Sequence, residues 1–333
     1  MINRAKINRR LFMGGTAAAL ALPAFAGRAL AQTAALKVAS VKFGSLSWLI
    51  ETIRAEGLDK KFGLNLEVIE IASNQGSAIA LYGGSADVVV SDWTWGLRQR
   101  SMGEALKFAP FSSALGSIMV AGDSPIKSYA DLGGKRLGVA GSAIDKSWLL
   151  LRAYSMKVHG KDIATFAEPQ YGAAPLLAEQ LRDGKLDAAL NFWTFSARLK
   201  GDGFRSILTM SDVMTALGID PQPALVGFIW KEATETAQPG AIKALLAAAT
   251  EGNALLAKSD AAWERLRPLM KAATEGEFAA LREGYRKGIP GPWRDAEMRS
   301  AEKIMSILVE SGDTDLVGNG TRFDPKLFHT AGA

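Results

Sequence analysis

The stretch "ALYGGSADVVVSDWTWG", residues 80–96, decides the fold. Its start reads as the end of a helix, and Gly83-Gly84 break it. Ala86–Ser91, with three consecutive valines, then reads as a strand buried on both faces. Two tryptophans follow at the strand exit, Trp93 and Trp95. Two residues apart in an extended segment, they would face the same way.

The same alternation continues on both sides. "LKVASVK" (36–42) reads as a strand, "SWLIETIRAEGL" (47–58) as an amphipathic helix and "LNLEVIEIA" (64–72) as a second strand. "GSAIALYGG" (76–84) reads as the helix that leads into the valine strand. This β-α-β-α-β order predicts an α/β fold: a mostly parallel sheet with helices on both faces and a crevice at the strands' carboxyl ends. A second β-α set begins at "GSIMVAG" (116–122), and "ALVGFIW" (224–230) reads as another strand. From about residue 240 the pattern is helical. A chain of 333 residues accommodates roughly two domains.

The formal charge of +5 suggests at first a nucleic acid or a membrane surface as partner. Residues 1–31 remove that suggestion. They carry five basic residues, Arg4, Lys6, Arg9, Arg10 and Arg28, and no acidic one. Without them the 39 Lys and Arg fall to 34, equal to the Asp and Glu. A basic start, a short apolar run and Ala29-Leu30-Ala31 before Gln32 predict an export signal cleaved near Ala31. "NRRLF", with Arg9 and Arg10, resembles a twin-arginine motif. The chain has no cysteine, which excludes disulfides, thiolate metal sites and a cysteine nucleophile.

Four phrases in order resemble periplasmic substrate-binding proteins of the aliphatic-sulfonate, taurine, nitrate and thiamine-precursor group. They are "AEGLDKKFGLNLEVIEIAS" (55–73), "ALYGGSADVVVSD" (80–92), "SYADLGGKRLGVAGSA" (128–143) and "LLAEQLRDGKLDAALNFW" (176–193). The resemblance implies a type II-like fold of two α/β lobes with the ligand between them. It maps lobe one to 32–115 plus 226–333 and lobe two to 116–225, with crossings near "SSALGS" (112–117) and "PALVG" (223–227). It also implies closure on a small organic ligand and delivery to an ABC permease. The export signal and the lack of cysteine predict a chain free in the periplasm, expected as a monomer. No cofactor and no nucleic-acid partner are expected.

Candidate ligand-binding residues come from the strand exits. Phe43, Gly44, Ser45 and Trp48 follow the first strand; Ser91, Asp92, Trp93 and Trp95 follow the valine strand. Gly141, Ser142, Asp145, Lys146 and Trp148, then Asn191, Phe192 and Trp193, supply the second lobe. The two Gly-Ser pairs predict free N–H groups at helix starts, suited to an anionic end of the ligand; Asp145 could instead cap its helix. The rings predict an aromatic wall for an apolar or aromatic body. Trp93 and Trp95 are expected to face the cleft from lobe one, and Trp148 and Trp193 from lobe two.

Other classes have less to draw on. Catalysis needs a base or nucleophile in the cleft. The two histidines, His159 and His329, fall at a helix end and in the tail. A hard metal ion needs clustered oxygens, and Asp87, Asp92, Asp145 and "DGKLD" (183–187) form no known loop pattern. A sensor with no permease would have the same sequence features as a transport protein.

Overall fold

In "VVV", Val88 and Val89 are fully buried and belong to different hydrophobic clusters. Successive strand residues point to opposite faces, so both faces of this strand are covered. The computed structural model describes residues 34–41, 44–71, 74–310 and 321–329. The expected export signal lies outside them.

The strands described are β1 (Ala34–Val41), β2 (Leu64–Ile71), β3 (Val88–Asp92), β4 (Leu106–Ser112) and β5 (Ser117–Val120), then β6 (Arg136–Ala140), β7 (Glu168–Gly172), β8 (Ala188–Asn191), β9 (Arg205–Thr209) and β10 (Val226–Lys231). They form two sheets, β2-β1-β3-β10-β4 and β7-β6-β8-β5-β9. β10 is antiparallel to β3 and β4, and β5 to β8 and β9; the remaining pairs are parallel. Each sheet therefore has four strands in one sense and one reversed. The reversed strand is in each case the first after the chain changes sheets.

The chain crosses between the sheets at 113–116 and returns between β9 and β10. The first crossing is tight. A Cβ on Gly116 would lie 1.7 Å from the Asn191 carbonyl oxygen, so no side chain fits there.

The sequence reading assigned all of 226–333 to the first lobe; within that stretch one helix touches elements of both sheets and another packs on the second. In Glu275–Lys287, Phe278, Leu281 and Tyr285 pack in the cluster that holds Trp48 and Trp263. The first turn of the same helix is tied to helices of the second sheet. Arg198 Nη1 donates to the buried Glu277 carboxylate at 3.1 Å, and Arg182 Nη2 lies 3.6 Å from it. Gly276 and Gly201 make this approach possible; a Cβ on Gly201 would fall 2.4 Å from the Glu277 nitrogen. The helix Asp295–Glu310 turns Ala301, Ile304, Met305 and Leu308 into the cluster that contains Trp148 and Leu149. Amphipathic spacing marks a buried stripe but does not say which lobe the stripe meets. Among the described residues no helix is long and apolar enough to cross a membrane.

Candidate ligand-binding cleft

The exits of β1, β3, β6, β7 and β8 each lead toward a helix start. Parallel strands bring such exits to one end of a sheet. The exits of the two sheets enclose a cleft of about 820 Å³. Small-molecule sites usually span roughly 300–1,000 Å³. The first sheet contributes Gly44, Ser45, Leu46, Asp92 and Phe111 to its walls; the second contributes Gly141, Ser142, Asp145, Lys146, Phe192, Trp193 and Phe195.

Three charged side chains meet in it. Asp92 is the N-cap of the helix Trp93–Ser101; its carboxylate accepts the Trp95 N–H at 3.0 Å and the Thr94 hydroxyl. Lys146, from the other sheet, holds its ammonium 3.6 Å from Asp92 across the cleft. Burial pushes the Asp92 carboxyl upward, but Lys146 and the Thr94 and Trp95 donors outweigh it and hold the group below the usual carboxylate range. Burial likewise works against the Lys146 charge, and Asp92 and Asp145 together raise its pKa instead. Asp145 caps the helix Lys146–His159 by accepting the Ser147 N–H at 2.9 Å. Its pKa is raised, first by burial and further by Asp92, with Lys146 and Ser147 offsetting only part.

Of the residues read from the sequence, Gly44, Ser45, Asp92, Gly141, Ser142, Asp145, Phe192 and Trp193 line this cleft, and Trp48, Ser91, Trp93, Trp95 and Asn191 do not. Phe43 lies outside the described residues.

Trp93 corrects the expectation most directly. The helix begins at Trp93 itself, so the segment is not extended. Two positions in a helix are about 200° apart, not on one face. Trp93 has no exposed surface and packs edge-on to Phe328 at 6.0 Å. Trp95 turns toward Tyr82, with ring centroids 6.2 Å apart. Trp148 is also core, 1% exposed and beside Tyr171. Trp48 sits one layer behind the wall, edge-on to Trp193 at 6.0 Å and packed on Trp263 and Tyr285. Trp193 is the tryptophan that reaches the cleft, and Phe111, Phe192 and Phe195 accompany it.

The two Gly-Ser pairs separate as well. Ser45 lines the cleft as the N-cap of Leu46–Ala55; its side chain makes no capping bond, and the Ser47 and Trp48 N–H groups turn back to the Gly44 and Ser45 carbonyls. Ser142 stands four residues before its helix, and Asp145 places its own carboxylate at the helix start. Asp145 thus fills the place expected for an anion there. Asn191 is buried; its amide donates to Ala174 O and its carbonyl oxygen accepts the Phe192 N–H, which positions two wall segments.

Sequence reasoning missed the helix start at Ala173–Pro175, which lines the cleft and has no side-chain cap. Pro175 in the first turn was the available signal. It also missed the reach of Lys146 to Asp92. His159 stacks on Tyr129 and His329 packs on Trp230, so neither lines the cleft. Among the described residues no three His, Asp or Glu side chains gather as a metal site.

The profile of the NMT1/THI5-like family matches residues 54–261, more than half of the chain. No curated protein matches it in sequence. Among solved structures, the alkanesulfonate-binding protein SsuA from Xanthomonas axonopodis pv. citri, bound to MOPS, is 17% identical with a TM-score of 0.69, over 90% of this chain and 99% of that one. The periplasmic aliphatic sulphonate binding protein SsuA from Escherichia coli is 18% identical with a TM-score of 0.71, over 89% and 92%. The desulfurization enzyme DSZB is 15% identical with a TM-score of 0.59, over 88% and 97%. At these identities the likeness is one of fold. Two five-stranded sheets joined by a double crossing, with the cleft between them and the profile match across both, lead to one conclusion: the chain belongs to the NMT1/THI5-like family, on the two-lobed periplasmic-binding-protein fold.

Proposed function

We propose that the protein is a periplasmic solute-binding protein that encloses a small organic ligand with an apolar or aromatic body and delivers it to an ABC permease. The observation that carries this reading is a cleft of about 820 Å³ walled by both sheets, with Trp193, Phe192, Phe195 and Phe111 on its sides and the Asp92–Lys146 pair across it. Rings and apolar walls supply the affinity, and closure of the lobes around the ligand supplies the selected state. The basic leader and the Ala29-Leu30-Ala31 site support export, and the family's binding proteins support transport. The reading is one of binding without turnover. Among the described residues the ionisable side chains of the cleft are Asp92, Asp145 and Lys146, and Asp92 and Lys146 already engage each other.

A thermal-shift screen of sulfonates, aromatic acids, pyrimidines, betaines, amines and metal ions tests it. A ligand at 100 times its Kd stabilises by about 2.7 kcal/mol, which raises Tm by on the order of 5 °C. Small-angle scattering should then show a smaller radius of gyration with the hit bound. Trp193→Ala should weaken the hit's binding by about tenfold, because a ring contact contributes roughly 1 kcal/mol beyond its buried area. No hit in the whole screen and no compaction would overturn the reading; conversion of the hit to a product would move the protein to the enzymes of this fold.

A further inference from the structure

Among the described residues, the ionisable side chains that line the cleft are two carboxylates and one ammonium, with no arginine. The ammonium is already engaged: Lys146 faces Asp92 at 3.6 Å across the lobes. Asp145 is different. One of its oxygens accepts the Ser147 N–H; Lys146 attracts the carboxylate, but among the described residues no cation lies within ion-pair distance of it. Its other oxygen lies against Gly141, whose φ of +99° excludes most side chains; a Cβ there would fall 3.2 Å from that oxygen. Asp145 and the bare backbone of Gly141 both line the cavity. Phe192, Trp193 and Phe195 rise from the same lobe to the same cavity.

An anionic ligand meets this arrangement badly. The helix starts at Ser45 and Ala173, which have no side-chain cap, favour an anion only by their dipoles; a full counter-charge means drawing Lys146 away from Asp92, and a partly buried carboxylate then loses its partner. A protonated nitrogen needs no such exchange. It compensates Asp145, leaves the Asp92–Lys146 pair closed across the lobes, and finds ring faces nearby for cation–π contact.

We propose that the cleft selects a ligand that carries a protonated nitrogen on its apolar body, with Asp145 as the counter-charge. The inference rests on the solute-binding reading above and narrows it.

The test is a matched set on one body: 2-phenylethylamine, 2-phenylethanol and 2-phenylethanesulfonate, titrated calorimetrically into the full chain. The amine should bind at least about tenfold more tightly than the sulfonate, with the alcohol between them. Asp145→Asn keeps a good helix cap, so the fold survives. It should lower amine affinity about tenfold and leave the alcohol's unchanged. Tighter binding of the sulfonate, no binding by any of the three, or an amine affinity indifferent to Asp145→Asn would overturn the inference. The two readings fail separately. A neutral or anionic hit in the broad screen, with compaction, overturns the charge assignment and keeps the solute-binding reading. No hit of any charge and no compaction overturns both.

Discussion

Trp93→Ala is expected to lower the stability of the fold by about 3–5 kcal/mol and to leave the ligand affinity of the folded fraction unchanged. The ring has no exposed surface. It packs with Leu97, Leu106, Phe108 and Phe328 where the helix Trp93–Ser101 leaves β3. Its indole nitrogen is buried without a hydrogen-bond partner, so the cost is that of a cavity and not of a lost bond. Denaturant unfolding with an unchanged m-value should report it, and calorimetry with a ligand from the screen should show normal affinity. Trp193→Ala should give the opposite balance, with affinity lost and stability much less affected. Lost affinity in a Trp93→Ala protein of normal stability would return that ring to the cleft.

Lys146→Met is expected to cost about 2–4 kcal/mol at neutral pH, because it removes the ammonium that pairs with Asp92 and attracts Asp145. The pH dependence identifies the cause. In the native protein the Asp92 pKa is lowered, so its contribution is present above the unfolded value of about 3.9 and is lost as pH falls through the lower folded value. Without Lys146 both carboxyls are pushed up, and an acid with a raised folded pKa destabilises at high pH and is relieved as pH falls. The stability gap between the native protein and Lys146→Met should therefore be widest near pH 7 and narrow toward pH 4. A gap that does not change with pH would assign the loss to packing of the lysine stem.

Much of the architecture was legible from local pattern. Three valines can be covered on both faces only inside a layered sheet, and that one strand implies helices above and below. The strand exits were legible as a group because parallel strands share one end. The direction of individual rings was not. The two-residue spacing of Trp93 and Trp95 was read with the period of a strand, while Asp92 before them is a helix N-cap that changes the period at that residue. The same kind of signal misplaced the anion site: Asp145 sits where a cap belongs, and a capped helix start repels the charge that a bare one attracts. The Asp92–Lys146 pair joins two lobes 54 positions apart in sequence, and no spacing rule reaches that far. Which lobe receives the helices Glu275–Lys287 and Asp295–Glu310 depends on partners such as Arg198 and Gly201, whose roles appear only once the sheets are assembled.

The most direct measurement for the central claim is a crystal structure of the protein with the tightest ligand from the screen. The account predicts that ligand between the Ser45 helix start and the Trp193 ring, in van der Waals contact with that ring and enclosed by both sheets. A ligand seated instead in the separate groove of about 610 Å³ between the helices Lys146–His159 and Asp295–Glu310, with the central cleft empty, would contradict it.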